Sequence, residues 1–428
     1  MKVTTYEPDA MPPGARSLAY GAFCWLNRHI PVLRAFGALF RRWPSVGGRL
    51  GIVARASAVK EVLTRTRSFS NTAHAANIVS GDYLIGMDPG PTYSADRDLV
   101  HVRVAALNVP ADSDAEAQRR IKDLSGRKPG EFDLIEDYLM WVVFHAMRPL
   151  FGAATGAVVA GSTIDAAKGD VDEGLQRQYM LEIRYVAGQL LAGSLSTLDL
   201  RRQAEACADA LQARIDRVTG LIGAAWGVKS STSDIERNAV GLAWISHPVT
   251  VQSGALIVQE LLGRPKVYDD LRSKAERLGE SAVWTDPDFR ETVRNHVLEL
   301  MRFRPIFPLL ARDVPRDTEM ETGARRNAGC PGGGKVSLLS VAALFDPSVV
   351  PQSGRFCPER DWRGNDALRY LMFGYGYRQC PAKNEAVQIL TSALIGLLAL
   401  PRLQLARSKG KAIVYEGPLM LSMRMRTT

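Results

Sequence analysis

A ten-residue stretch near the C-terminus, residues 373–382, constrains this chain more than any other feature of its 428 residues. It reads Phe-Gly-Tyr-Gly-Tyr-Arg-Gln-Cys-Pro-Ala, and its cysteine, Cys380, lies just before an apolar segment with helical periodicity at 383–398. A helix N-terminus lowers the pKa of a nearby cysteine, because its unpaired N–H groups carry partial positive charge. Gly374 and Gly376 have no Cβ atom, so a flat ligand can approach their backbone closely. The stretch therefore predicts a rigidly held thiolate that faces a planar group.

Two further motifs place charged residues upstream of the cysteine. Glu299 and Arg302 stand at positions i and i+3 and are therefore neighbours on one face of a helix. The segment Phe-Cys-Pro-Glu-Arg at 356–360 adds a second arginine, Arg360. Taken alone, Glu299 and Arg302 are typical of an ordinary solvated helix pair. Their order and spacing make the combination specific, because Glu299 precedes Cys380 in the chain and Arg360 lies between them.

Together these motifs resemble the signatures of the cytochrome P450 family. The heme-ligand signature of that family is Phe-x-x-Gly-x-Arg-x-Cys-x-Gly/Ala, and the matching residues here are Phe373, Gly376, Arg378, Cys380 and Ala382. The resemblance implies a mainly α fold with small β-sheets (α+β), formed by one domain over residues 1–428. It also implies heme b as the cofactor, held between a kinked long central helix and the cysteine loop.

The resemblance assigns a role to each matching residue. Cys380 would be the axial iron ligand, and heme ligation by thiolate favours O–O cleavage. Arg378 would pair with a heme propionate, and Gly374 would belong to the same heme-binding loop. The family also closes its Glu-x-x-Arg pair into an ion-pair network with the later arginine, here Glu299, Arg302 and Arg360.

Three more residues match propionate-binding positions less closely. Relatives often carry His-x-x-x-Arg early in the chain, where this sequence has Tyr93 and Arg97. A phenol can still donate a hydrogen bond to a carboxylate. Arg312 follows a predicted apolar pocket wall at 305–310 and stands where the family often has another propionate-binding arginine.

The predicted central helix departs most from the family pattern. Ser233 and Glu236 resemble a capping box at its start. Oxygen-activating relatives then carry an acid and an alcohol that relay protons, whereas this chain has Pro248 and Val249 at those positions. Thr250 takes the place of the alcohol only if the helix slips by one residue. Pro248 removes a backbone hydrogen bond and should kink the helix.

His247 admits two interpretations. It is the one group near Pro248 that can exchange protons close to neutral pH. Alternatively, it simply donates a hydrogen bond to a neighbouring element, because buried polar groups need partners. The His-Pro pair is also similar to the Arg-Pro pair in the peroxide-using, fatty-acid branch of the family.

Five widely spaced cysteines, an odd number, favour free thiols in a reducing compartment rather than a disulfide framework. The N-terminal region has no signal-peptide layout, and charged residues interrupt the apolar segment at 17–40. We therefore expect a bacterial-type, cytoplasmic protein without a stable membrane anchor.

The net charge is +9, but the basic residues are dispersed and form no helix interleaved with aromatics, so we expect no nucleic-acid partner. Arg363, Arg369 and Lys383 lie close in sequence to the cysteine loop. A basic face there would steer an acidic ferredoxin- or flavodoxin-type electron donor. The glycine-rich segment 329–335 falls one residue short of a phosphate-binding loop and instead predicts a tight turn before a strand at 336–344.

The resemblance implies a monooxygenase that inserts one oxygen atom from dioxygen into a small hydrophobic substrate, with electrons from a separate donor. A peroxide-dependent peroxygenase, or an isomerase or dehydratase of lipid hydroperoxides, remains the alternative because the acid–alcohol pair is missing. The third hypothesis is a heme protein that binds its ligand without turnover. Assays with peroxide alone and with an electron-transfer chain would separate these three.

Overall fold

The computed structural model describes most of the chain. The described residues are 18–43, 50–71, 84, 86–126, 130–150, 173–192, 202–207, 209, 232–321, 327–362, 364, 366–406 and 411–428. The segment 71–86, whose lack of periodicity predicts a loop, and the segment 200–222, whose pattern predicts a helix, lie mostly outside these ranges. Arg363 and the side chains of Ser233, Glu236 and Trp244 also lie outside them.

The architecture is mainly helical, as the sequence predicted. The α-helices are α1 Leu18–Arg28, α2 Ile30–Arg42, α3 Ala56–Thr64, α4 Pro91–Ala105, α5 Val109–Ser125, α6 Met140–Met147, α7 Glu173–Ala192, α8 Thr232–Leu262, α9 Pro265–Thr285, α10 Pro287–Phe303, α11 Ser340–Ala343, α12 Asp366–Arg369 and α13 Lys383–Ala399. The strands are β1 Leu50–Val53, β2 Glu131–Asp133, β3 Leu310–Val314, β4 Thr318–Glu321, β5 Asn327–Cys330, β6 Gly334–Leu338, β7 Leu403–Leu405, β8 Ile413–Glu416 and β9 Leu419–Thr427.

Small sheets connect distant parts of the chain. β6 lies between β1, its parallel neighbour, and β3, its antiparallel neighbour. β9 pairs with β2, β7 and β8, so the predicted terminal hairpin is present, while β4 and β5 form a separate two-stranded ribbon. The strand predicted at 336–344 ends at Leu338, and α11 occupies the rest of that segment. The glycine-rich segment before it is the turn between β5 and β6.

Two helices form the frame for the site. α13 is apolar along its length, and its buried residues include Val387, Leu390 and Leu394. α8 runs without interruption through Pro248 for 31 residues. The helix is therefore continuous across the turn whose backbone hydrogen bond the proline removes. A Cβ atom added to Gly254 of α8 would lie only 3.3 Å from Leu390. The glycine therefore lets the two helices approach closely.

No helix in the described ranges has the length and apolar character needed to cross a lipid bilayer.

Candidate heme-thiolate site

The cysteine loop is a tight, hydrogen-bonded turn. It includes two short 3-10 segments, Leu371–Phe373 and Gly376–Arg378, and leads into α13. The Cys380 N–H donates to the Phe373 carbonyl at 2.8 Å, which closes the loop. Gly374 and Gly376 have φ angles of +83° and +69°. A side chain is strained in that region, so the loop conformation depends on both glycines. Phe373 packs against the larger hydrophobic core, and Ala382 is the N-cap residue of α13.

The expectation of a low thiol pKa is wrong for the protein chain alone. α13 begins at Lys383, beyond Cys380 and Ala382, so the sulfur does not lie at the helix N-terminus itself. Desolvation raises the pKa of the Cys380 thiol to about 11, although a hydrogen bond from the Ala382 backbone acts in the opposite direction. A bound metal cation is what would favour the thiolate here, because a thiol releases its proton to solvent when its sulfur coordinates a metal.

Glu299, Arg302 and Arg360 meet in a buried network. The Arg302 guanidinium donates to both carboxylate oxygens of Glu299, at 2.9 and 2.8 Å. Arg360 donates to Glu299 Oε1 at 3.1 Å, and the Cys357 N–H donates to the same oxygen at 2.9 Å. Arg302 also donates to the Leu344 and Ser353 carbonyls, so it ties α10 to the segments that follow α11.

The Glu299 carboxylate offsets part of the positive charge of its two arginines. Burial alone raises the pKa of Glu299, but the hydrogen bonds and charge of Arg302, with help from Cys357 and Arg360, outweigh it and hold that pKa below its ordinary value. The carboxylate therefore stays ionised between its two arginines. Removing it would leave two buried cations without their counter-ion.

A second group of arginines lies beside the cysteine loop. Arg378 lies on the loop, Arg312 on β3 and Arg97 on α4, and Tyr93 lies near two of them. Burial and the neighbouring charge of Arg378 lower the pKa of Arg312 to about 10, while Asp88 and Asp313 act in the opposite direction. The Arg97 Nε atom is buried and has no hydrogen-bond partner among the described residues. This region therefore favours additional negative charge.

Asp88 is the carboxylate that balances part of this charge. Its Oδ1 atom lies 3.1 Å from Arg378 Nη1, and Arg378 Nη2 donates to the neighbouring Met87 carbonyl at 2.7 Å. Asp88 in turn accepts hydrogen bonds from the Asn71 N–H at 3.0 Å and from the Ser70 hydroxyl. It is thus held from one side while it holds Arg378 from the other.

These residues fit heme b. Among the described residues, Asp88 and Asp313 are the carboxylates that act on Arg312, and Asp313 is already paired to Lys335 at 2.5 Å, so Asp88 stands against the three cations Arg97, Arg312 and Arg378. Two propionates would balance the two remaining charges and give the orphaned Arg97 Nε an acceptor. An added Cβ atom at Gly376 would lie 3.1 Å from the Thr64 methyl group, so this glycine lets the loop pack closely against α3.

Tyr93 is oriented differently from a simple propionate donor. Its hydroxyl points to the Tyr377 carbonyl at 3.4 Å, and the two rings are 5.3 Å apart. Tyr377 also contacts α4 through Ser94, at 2.7 Å between the two hydroxyls, while Arg97 lies 4.7 Å from its ring centre. Tyr93 therefore joins α4 to the cysteine loop.

The surroundings of His247 favour the second of its two interpretations, a hydrogen bond to a neighbouring element. Its Nε2 atom lies 2.9 Å from the Met140 carbonyl, and the side chain is buried. Burial lowers the pKa of His247 to about 4, although the Met140 hydrogen bond acts in the opposite direction. The imidazole is therefore neutral at pH 7 and joins α8 to α6, which is the second interpretation offered by the sequence.

The remaining candidates on α8 show no acid–alcohol pair. Pro248 is buried, and Val249 is half-buried. The Thr250 hydroxyl donates to the Ser246 carbonyl one turn earlier, at 2.7 Å. Its proton is thus used within the helix.

The predicted basic face near the cysteine is already engaged in internal contacts. Lys383 donates to Gln379 at 2.7 Å, and Arg369 donates to Asn295. Sequence reasoning also missed Asp88. No spacing rule connects it to Arg378, which lies near the other end of the chain.

A family model and the curated relatives both match the same family. The family model described as Cytochrome P450 matches residues 249–426. Cytochrome P450 705A22 of Arabidopsis thaliana is 26% identical over 196 residues, which is 40% of this chain and 36% of that protein. Cytochrome P450 3A25 of Mus musculus is 30% identical over 183 residues, which is 40% of this chain and 35% of that protein. The chain thus spans about a third of the length of the curated relatives it matches.

The fold match covers much more of the chain. The ligand-free structure of cytochrome P450 TbtJ1 superimposes with a TM-score of 0.69 at 17% identity, covering 92% of this chain and 97% of that chain. The matched family segment includes the Glu299 network, the cysteine loop and α13. Over residues 249–426 the chain is similar to the cytochrome P450 family, and its fold is that of solved cytochrome P450 structures. Heme b is the cofactor of that family, in agreement with the charge balance of the arginine cluster.

Proposed function

We propose that this protein is a heme-thiolate monooxygenase that inserts one oxygen atom from dioxygen into a small hydrophobic molecule. The observation that carries the proposal is the cysteine loop, in which Cys380 lies beside an arginine cluster with an unbalanced charge. Thiolate-ligated heme supplies oxygen activation, because the sulfur pushes electron density onto the iron.

Each protein group would then have a defined task. Cys380 would hold the iron, while Arg97, Arg312 and Arg378 would hold the propionates and Tyr93 would fix α4 against the loop. The Glu299 network would keep the loop region rigid beneath the ring, as precise catalytic geometry requires. The apolar segment Pro305–Leu309 would wall the substrate cavity and exclude water.

The proposal includes partners and context. Electrons would come from a separate ferredoxin- or flavodoxin-type donor. The protein would act in the cytoplasm as a single domain over residues 1–428. Its substrate would be small and apolar, because the described cavity wall is built largely from proline, leucine, isoleucine and phenylalanine.

A second candidate is peroxide-driven oxidation, or rearrangement of a lipid hydroperoxide. The α8 segment from His247 to Thr250 favours it. Oxygen activation from dioxygen requires proton delivery, but Pro248 and Val249 cannot deliver protons. The His247 ring is neutral at pH 7 and bonded to Met140, and the Thr250 hydroxyl is bonded within its helix. A peroxide brings its own protons and needs no electron donor.

The purified holoenzyme should be assayed with a substrate panel under two regimes: NADPH with a surrogate ferredoxin system, and hydrogen peroxide alone. Faster product formation with the electron chain is expected. Equal or faster turnover with peroxide alone would establish the second candidate instead. No product in either regime would identify a heme protein that only binds its ligand.

The ligand assignment has its own test. Cys380→Ala should abolish the strongly shifted Soret band of the reduced, carbon-monoxide-bound protein, together with turnover. Cys357→Ala is the matched control, because Cys357 is also half-buried and also precedes a proline. Retention of the band in Cys380→Ala would refute the assignment.

A further inference from the structure

The first two helices, α1 and α2, expose several large apolar side chains. Trp43 is 61% exposed, Phe36 49%, Leu39 48% and Trp25 48%. Among the described residues, the other exposed large hydrophobic side chains lie singly on β1, α4, the cysteine loop and β7. Single exposed hydrophobic residues are ordinary on a protein surface, whereas a cluster of them indicates an interaction site.

Helix α2 presents three of these side chains on one face. Phe36, Leu39 and Trp43, the C-cap residue, stand at positions i, i+3 and i+7. The residues that α2 buries against the rest of the protein are Ile30, Leu33 and Gly37. The helix is therefore apolar on its outer side as well as on its inner side. An outer side of this kind is expected to be covered by another apolar phase.

Side-chain contacts fix the orientation of α2 on the protein. A Cβ atom added to Gly37 would lie 2.2 Å from the Ala342 Cβ atom, so α2 packs closely on α11. Arg41 donates to the Ala342 carbonyl at 2.8 Å, and the guanidinium carbon of Arg34 lies 3.6 Å from the centre of the Phe345 ring. Rotating the helix to bury its outer side would break all of these contacts.

The segment that contains these helices also carries most of the net charge. Residues 10–60 include eight basic and no acidic residues, a net charge of +8, while the whole chain has +9. Arg42 is exposed at the end of α2, and its guanidinium carbon lies 5.1 Å from the centre of the Trp43 ring. The outer α2 face, defined as Phe36, Leu39, Arg42 and Trp43, thus combines apolar side chains with positive charge.

We propose that the outer α2 face docks this protein reversibly on the surface of an anionic lipid bilayer. An interfacial helix lies in the plane of the bilayer, with Trp, Phe and Leu side chains at the acyl boundary and basic side chains near the phosphates. Helix α2 has 13 residues, fewer than the roughly 20 needed to cross the hydrocarbon core, so it would lie on the bilayer. Anionic lipids would complement the charge of residues 10–60.

Two other occupants fit the outer α2 face less well. A second copy of this chain would bring two segments of charge +8 together, because a two-fold interface sets identical surfaces against each other. A nucleic acid would need several exposed cations. Of the arginines on these helices Arg42 is exposed, whereas Arg28, Arg34 and Arg41 are half-buried. The inference goes beyond the proposed oxidation, since it concerns where the protein lies.

The test is sedimentation of the holoenzyme with phosphatidylcholine vesicles that contain or lack phosphatidylglycerol. We expect the anionic vesicles to bind at least about tenfold more tightly than the neutral ones. The double variant Phe36→Gln/Trp43→Gln should lose at least about tenfold in affinity, because two aromatic side chains no longer leave water on binding. Arg42→Gln should lose about fivefold for the anionic vesicles, and Trp43→Phe should retain most of the binding.

Val102→Gln on α4 and Arg277→Gln on α9 are the matched controls and should bind as the wild-type protein does, because each changes an exposed residue on another element. The reduced carbon monoxide spectrum of each variant reports separately on the heme-thiolate assignment. Equal sedimentation of the wild-type protein with both kinds of vesicle would overturn the proposal, as would unchanged binding by the double variant. A lipid-independent dimer, or binding to RNA, that the double variant abolishes would also overturn it and assign the face to that partner.

Discussion

The two sides of the site use their polar residues in opposite ways. On the proximal side, defined here as the cysteine loop with the Glu299 network, buried charges pair with charges from distant parts of the chain. Arg378 reaches Asp88, and Arg360 reaches Glu299. On the distal side, the α8 segment from His247 to Thr250, the polar groups are neutral and bind backbone carbonyls. The comparison indicates that the proximal side maintains geometry through charge, whereas the distal side maintains it through packing.

The Glu299 network should give the largest effect of any single substitution. Glu299→Gln leaves two buried arginines without their carboxylate, so we expect the free energy of unfolding to fall by about 3–5 kcal/mol. Denaturant unfolding of the holoenzyme measures this. The matched control is Glu291→Gln on the same helix, where Glu291 forms an exposed pair with Arg294 at 3.2 Å. Such a pair should contribute less than about 1 kcal/mol. Equal losses in both variants would contradict a buried, charge-dependent proximal side.

The proximal side was also the part that sequence could predict. Fixed local patterns contain Glu299, Arg302, Arg360 and Cys380. The spacing of charged residues in such a pattern predicts which of them pair. Asp88 could not be found in this way. Its partner Arg378 is brought to it only by the folded chain, and no local periodicity indicates such a contact.

The sequence also failed where two physical effects compete. For Cys380, the expected influence of the helix N-terminus was smaller than the desolvation of the sulfur. For His247, both alternatives were chemically sound, and only the position of the Met140 carbonyl distinguishes them. How deeply one atom is buried depends on the tertiary structure, so a sequence pattern cannot predict it.

On the distal side, His247 should make the free energy of unfolding depend on pH. Its pKa is about 4 in the folded protein and about 6.5 in the unfolded chain, because burial disfavours the imidazolium ion. As pH falls from 6.5 towards 4, the unfolded chain takes up a proton first, so stability is present above this window and lost within it. We expect the loss to approach about 3 kcal/mol near pH 4.

The measurement is the free energy of unfolding across this pH range for the wild-type protein and His247→Gln, whose amide can also donate to Met140. The difference between them should narrow at acidic pH, because only the wild-type protein carries the penalty. His29→Gln, an exposed position, is the control. Parallel curves for wild-type and His247→Gln would show that the imidazole is not buried in its neutral form.

Asp88 tests whether the proximal side depends on residues outside the family motifs. Asp88→Asn keeps the side-chain shape but removes the charge that orients Arg378. We expect heme to dissociate about tenfold faster, the effect usual for an outer partner of a cofactor-binding group. Transfer of heme to apomyoglobin measures the rate without any turnover. Asp269→Asn, at the exposed Arg402 pair, is the control and should leave the rate unchanged. Slower dissociation from Asp88→Asn would mean that Asp88 competes with the propionate instead of orienting its arginine.

Thr250 should give the smallest effect, and it tests the distal side most directly. Its hydroxyl donates to the Ser246 carbonyl, so Thr250→Val removes a bond that a helix can lose at a cost of about 1 kcal/mol or less. A residue that delivers protons would contribute about 10²-fold or more to the rate. We expect less than a threefold change (roughly 0.7 kcal/mol) in product formed per NADPH consumed. Ser253→Ala is the control, because Ser253 bonds to the Val249 carbonyl of the same helix at 2.8 Å. A hundredfold loss confined to Thr250→Val, absent when peroxide replaces NADPH, would show that the hydroxyl leaves Ser246 during turnover and that the distal side does carry a proton path.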